Sequence, residues 1–490
     1  MTGVAVQRAS TTSPGQPRPG RPLALKQAAL AGAAAGAWGA FAGYRIWRTV
    51  DGPPWIWQDS RSYIAAAHPP ALSMAFLAGH RPPVVPLLWK VTGSPEAYVV
   101  TQTVLAVLAW SFLAWSVSRL VRAGWPAIVA GVAVLGFASC WQIIEWDWSV
   151  LSESISLSAV AVIVASIIWL ARRFTLPRAA ALVIACVVYE GARDQATWAV
   201  GAAAFGVLAY AALRSFRPRR APVHATTRSL VPLGLVLLAS AGLIGAAAAH
   251  AKRNVINVED VFDVRVFPFP HRVAWFASHG MPQAATIDML ASEVRASPGQ
   301  AKVVGPNLQT PSWSPLKRWF ESRAETTFIY YVLTHPGYDL TAPFQRPELT
   351  YNNANGQLAF YGDINNGTRS FLPVLPSLLF PSWQMEAAIA IGASALLAAR
   401  HRWRPSLLTA LVIIALTGLA SMLIAWQGDG MEVARHTIEG NVQTRLGVLV
   451  LVLVSAFPLD LDRHAGKSRR TASALVAGPT PPEGTQSVDQ

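Results

Sequence analysis

Apolar residues run along this chain in long unbroken stretches separated by short polar breaks. Ten stretches are long enough to enter a bilayer: 23–46, 96–120, 126–144, 151–170, 179–189, 196–213, 231–250, 383–399, 406–426 and 446–457. A helix crosses the hydrocarbon core with roughly 20 apolar residues. The expected fold is therefore an all-α polytopic membrane protein of about ten transmembrane helices, in which 179–189 and 446–457 borrow flanking residues. Two breaks are longer. In 47–95, the stretch 59–67 reads as a short helix stopped by His68-Pro-Pro70, and 71–78 is a second apolar piece; both are expected to lie along the membrane surface. In 251–381, aromatics, prolines and charges mix, and 319–334 reads as a membrane-skimming helix. The chain thus divides into a tail (1–22), a first transmembrane module (23–250), a large loop region (251–381), the last transmembrane helices (382–458) and a basic tail (459–490). Residues 1–22 and 465–490 are rich in Pro, Ser, Thr and Gly and are expected to be disordered. No internal or inverted repeat of the kind common in transporters is visible.

Charge adds an orientation. The breaks 119–125, 172–178, 214–228 and 400–404 are basic and hold no acid. The others carry Asp51 and Asp59; Glu145, Asp147 and Glu153; Glu190 and Asp194; and Asp429, Glu432 and Glu439. Lys and Arg flanking membrane helices stay in the cytoplasm. The acidic breaks are therefore expected to face outward and both termini inward, in a multi-pass protein of the plasma membrane. Composition agrees: 490 residues, 52% hydrophobic and 13% charged, exclude a soluble globule. The net charge of +14 is then a topology signal that also suits anionic lipid headgroups, with no nucleic acid partner implied. Cys140 and Cys186 lie in apolar stretches and read as small buried hydrophobes. The first 22 residues lack an apolar core with a cleavage site, so 23–46 is expected to be an uncleaved first span.

Four clusters on the acidic side can carry chemistry, and each has a structural alternative. Asp59, Ser62 and Tyr63 share one face of the short helix. Asp59 is a candidate general base, or else its carboxylate caps the helix through the Ser62 N–H. Asp147 and Glu153 sit among Trp146 and Trp148, where indoles either anchor the interface or stack on a sugar; Glu153 alone also fits the positive end of a helix dipole. Arg193 suits a phosphate oxygen, while Asp194 is a candidate ligand-binding acid or a helix cap. Glu432, Arg435, His436 and Glu439 recur at helical steps. They form either a solvated stripe laced by Glu432–Arg435 and Arg435–Glu439 pairs or the wall of a cavity. Arg81 is a further candidate for gripping a phosphate. The His spacing fits no transition-metal motif, and no phosphate-binding glycine loop occurs.

Asp59-Ser-Arg-Ser-Tyr63 after a first span, then His80-Arg-Pro-Pro83 with Pro86-Leu-Leu88, then Leu151-Ser-Glu-Ser-Ile155, together resemble the GT-C superfamily of polyprenyl-phosphate-dependent glycosyltransferases. Ala-, Arg- and Trp-rich usage resembles actinobacterial envelope enzymes. The resemblance covers about the first 250 residues. It implies inverting transfer of a sugar from a polyprenyl-phosphate donor to a glycan, lipid or protein acceptor on the extracytoplasmic face, with Asp59 as base. It also implies substrate contacts from Tyr63, Arg81, Asp147, Glu153, Arg193, Asp194, Glu432, Arg435 and His436. A divalent cation is a possible cofactor, held by Asp147 and Glu153. Many members place two adjacent acids in the first loop, whereas Asp59 stands alone here, eight residues from Asp51. Two other readings stay open: a polysaccharide polymerase or ligase that leans on Arg435 and His436, and a transporter or flippase of lipid-linked solutes. Charges clustered outside nearly uncharged span interiors speak against transport.

Overall fold

A computed structural model describes residues 21–215, 222–282, 311–345, 347–350, 382–400, 405–428, 430 and 433–459. Both terminal tails, much of the large loop, and Asp429 and Glu432 lie outside these residues. Among the described residues the fold is helical, with two isolated bridges and no strand. All ten expected stretches fall within helices, one of them broken by a bend. Six are long and apolar enough to cross a membrane unaided: Pro95–Ser118, Glu153–Arg172, Asp194–Leu213, Ser229–His250, Leu407–Gly428 and Ile438–Ala456. This is a multi-pass α-helical membrane protein.

The helix Glu153–Arg172 is the hub. It is mostly buried, as is Ile438–Ala456, and its small residues admit close neighbours. Ser154, Ser156, Ser158, Ala159, Ala161 and Ala165 are all buried among larger side chains from Pro95–Ser118 and Leu176–Ala192. Small residues let helix backbones approach where lipid removes the hydrophobic drive for association. The helices Pro405–Gly428 and Ile438–Ala456 meet at glycines: a Cβ on Gly440 would lie 2.6 Å from the Gly418 carbonyl oxygen.

Two expectations are corrected. The single span predicted over 126–144 is a helix Trp125–Ala138 and a short segment Trp141–Trp148, bent by 61°. Ser139 and Cys140 turn the chain, and Arg45 from the first helix, Arg21–Val50, donates to the Ala138 carbonyl at 3.2 Å. A helix end freed of its own ladder is thereby satisfied. The last span begins at Ile438, not 446. Glu439, Asn441, Gln443 and Arg445 break the apolar pattern but are buried between helices instead of facing lipid.

The surface pieces form as expected: Gln58–Ala66 is a helix and Met74–Leu77 a single turn. The stretch around 319–334 is continuous from Ser314–Trp319 through a wider π-helical turn, Phe320–Ala324, into Glu325–Thr334. Its Trp319, Phe320 and Phe328 pack on Phe262 and Phe276, giving this region an aromatic core of its own.

Candidate functional site

Polar residues at the acid-bearing end converge from five separate stretches. The Gln58–Ala66 helix starts after Trp57, whose N–H is accepted by the Ser60 hydroxyl at 3.0 Å. Ser60 thus serves the helix start that Asp59 was expected to cap. The Asp59 carboxylate turns elsewhere: its Oδ1 accepts from Arg81 at 2.6 Å and its Oδ2 from Arg435 at 2.8 Å. Arg81 also donates to the Ser62 hydroxyl at 2.7 Å and lies over the Tyr63 ring, 4.9 Å from its centre. Arg435, on the turn Val433–His436, also donates through Nε to Glu153 at the first position of the hub helix. Glu153 lies 3.3 Å from Arg193, and Arg193 reaches Glu439 at 2.5 Å, where Ser156 also donates at 2.6 Å.

The result is one alternating chain of charge: Arg81, Asp59, Arg435, Glu153, Arg193, Glu439. Three guanidinium groups face three carboxylates. The chain descends from half-exposed Arg81 and Asp59, at 29% and 28%, to Arg435, Glu153, Arg193 and Glu439 at 6% or less. Burial alone would raise the Asp59 carboxyl, but Arg435 and Arg81 outweigh it and hold it down at about 2. Burial pushes the Tyr63 hydroxyl up, with Arg81 opposing. A buried carboxylate and guanidinium are tolerated in a low dielectric only when so paired.

The sequence-predicted residues divide accordingly. Asp59, Tyr63, Arg81, Glu153, Arg193 and Arg435 come together, and half-buried His436 follows Arg435, its carbonyl accepting from Gln195 at 2.9 Å. Asp194 stands at the rim, its carboxylate held by Arg253 at 2.8 Å, and Arg253 in turn donates to the Gly79 carbonyl at 3.1 Å. The solvated stripe expected around Arg435 is replaced by contacts to Glu153 and Asp59; its partner Glu432 lies outside the described residues. Asp147 belongs to a different cluster. Arg45 grips it with a fork at 2.6 and 3.1 Å, Ser154 donates to it at 2.5 Å, and it is 1% exposed. Both its oxygens are committed to holding the bent segment, so neither sugar nor cation contact is assigned to it.

Arg45 and Gln102 were missed, although each is a polar group inside an apolar stretch, which in a membrane signals a partner. The Gln102 amide donates to the carbonyls of Asp147 at 2.9 Å and Ser149 at 2.8 Å, holding the same turn. The backbone of Trp55 completes the tie, donating to the Trp148 carbonyl at 2.8 Å. Among the described residues no three His, Cys, Asp or Glu side chains gather in a metal-holding group. A surface cavity of about 160 Å³ beside Lys252 and Glu321 is separate from the charge chain.

No family model matches the chain, and no curated protein is similar enough to count as a relative. Among solved structures, it is similar to the archaeal oligosaccharyltransferase AglB from Archaeoglobus fulgidus, solved in complex with an inhibitory peptide and a dolichol-phosphate. The TM-score is 0.40 at 13% identity, over 91% of this chain and 52% of the other, so the chain spans about half the length of that structure. A likeness of that degree does not decide function, which has to come from the chain's own residues.

Proposed function

We propose that this protein is an inverting membrane glycosyltransferase that takes a sugar from a polyprenyl-phosphate donor to an envelope acceptor on the extracytoplasmic face. The observation that carries the reading is the meeting of Asp59, on a helix beside the membrane, with Arg435, Glu153 and Arg193 from the ends of three further helical elements. A carboxylate next to a row of guanidinium groups suits a reaction in which a hydroxyl loses a proton while a phosphate departs. In the proposed step the acceptor oxygen forms the new bond to the anomeric carbon. The carbon–phosphate-oxygen bond breaks with its electron pair going to the phosphate. The hydroxyl proton passes to the Asp59 carboxylate. Arg435 and Arg193 stabilise the departing charge, with His436 beside them, and Tyr63 and Arg81 shape the entrance.

Membranes containing the overexpressed protein, given a pool of radiolabelled polyprenyl-phosphate sugars, test this. Asp59→Asn is expected to lower transfer at least a hundredfold, the usual scale for a general base. Unchanged transfer rejects Asp59 as base. One observation favours a second reading: both Asp59 oxygens are held by guanidinium groups, which makes it a weak base. A polymerase or ligase working through Arg435 and His436 would keep activity in Asp59→Asn and lose it in Arg435→Gln.

A further inference from the structure

Arg435 is bound at once to a candidate base and to a candidate donor-binding group. It gives one N–H to Asp59 and its Nε to Glu153. Asp59 in turn spends Oδ2 on Arg435 and Oδ1 on Arg81, so in this arrangement each oxygen already accepts from a cation and draws only weakly on the proton of an acceptor hydroxyl. A guanidinium has five N–H donors in a planar fork. A donor phosphodiester arriving among Arg435 and Arg193 offers two non-bridging oxygens and one charge, rising toward two as the sugar leaves, and competes with carboxylates for that fork. The two halves of Arg435 differ in what holds them. Glu153 is fully buried at a helix start and shared with Arg193; Asp59 is 28% exposed on a nine-residue helix beside the membrane. The Asp59 contact is the one that can yield.

We infer that Arg435 keeps Asp59 unreactive until a lipid-linked phosphate draws the guanidinium away, so that donor binding and proton acceptance are coupled. This rests on the glycosyltransferase reading. Arg81 and Arg435 contact Asp59 directly, with Glu153 behind Arg435; His80 lies on the Ser62 carbonyl, His436 follows Arg435 in sequence, and Arg61 and Tyr63 are on the same helix as Asp59. Of these, Arg435 and Arg81 hold its carboxyl low against burial. With Arg435 withdrawn, burial gains on the one arginine left, and Asp59 gains proton affinity at the moment it is needed. A base is then exposed only when a leaving group is in place.

Dicyclohexylcarbodiimide adds to protonated carboxyl groups in apolar surroundings, and peptide mass spectrometry reads its addition to Asp59. The full-length protein in nanodiscs is labelled at pH 5 alone, with decaprenyl phosphate, with decaprenol, and with inorganic phosphate; lipid binding is followed separately by mass spectrometry of the intact complex. Wild type is expected to label weakly alone and about tenfold more with decaprenyl phosphate, the change for one unit of proton affinity. Decaprenol should have no effect. A matching rise with inorganic phosphate assigns the trigger to the phosphate group alone; its absence shows that the lipid tail is needed to deliver it. Arg435→Gln should label strongly without any lipid and rise no further. Arg81→Gln, which removes the other partner, should start high and still respond. The Arg81 variant guards against misfolding at the buried site, because it lies at the exposed end. Binding of decaprenyl phosphate with no change at Asp59 overturns the coupling alone. No binding overturns the donor reading and the coupling with it.

Discussion

At the residue scale, two of the buried charge sets have opposite jobs. Arg45 and Asp147 form a fork in the protein interior that fixes the bent segment. Removing one partner strands the other. Asp147→Leu or Arg45→Met is therefore expected to cost about 3–5 kcal/mol, and the double replacement less than either single one. Thermal unfolding of the four purified forms in detergent checks this; additive losses would mean that the pair is not coupled. Asp59 was legible from sequence because it opens a polar helix beside the membrane. In sequence Asp147 reads together with Glu153, since both lie near Trp146 and Trp148 at the same junction of spans. What tells them apart is Arg45, and its position 102 residues upstream gives no local sign of the pairing.

At the element scale, the helices were legible and their junctions were not. Apolar length reveals a span, but it does not reveal that 126–144 bends, because Ser139 and Gln142 alone interrupt an otherwise apolar stretch. The start of the last helix was hidden for the opposite reason: Glu439 and Arg445 look like loop residues until a partner helix covers them. That cover depends on close backbone contact. Gly440→Ala is expected to push Pro405–Gly428 and Ile438–Ala456 apart, lowering stability by about 1–3 kcal/mol and transfer with it, as overpacking does. Gly392→Ala, with open space around its Cβ, should be neutral or slightly stabilising; equal effects of the two in thermal unfolding and transfer assays would contradict the close-crossing account. Outside the membrane, the helix Asn254–Arg265 carries Glu259, whose carboxyl burial and Asp263 push up to about 7 against the opposing pull of Lys317. A raised carboxyl stabilises the fold below its unfolded value near 4.3 and loses that contribution as pH rises through 7. Wild type should accordingly lose stability relative to Glu259→Gln between about pH 4 and 7, measured as the difference in Tm across that range.

At the scale of the whole molecule, the alternation of basic and acidic breaks predicts sidedness. A cysteine at Ser73, on the acid-bearing end, should react with an impermeant maleimide added to intact cells. One at Ala123, on the basic end, should react only after the membrane is opened, and the native Cys140 and Cys186 are buried enough to stay silent. Reversed labelling would invert the topology and move the charge chain to the cytoplasm. The six charges of that chain come from positions 59, 81, 153, 193, 435 and 439, so most of the polypeptide separates its first member from its last.

That spacing bears on how the protein is made. While the ribosome is still working through the large loop, Asp59, Arg81, Glu153 and Arg193 have already been handed to the bilayer with two of their countercharges unborn. The early spans must wait in a provisional pairing, Glu153 on Arg193 alone, until the closing helix arrives with Arg435 and Glu439. A nascent chain cut short before that helix would leave Asp59 to Arg81 alone and Glu153 to Arg193 alone.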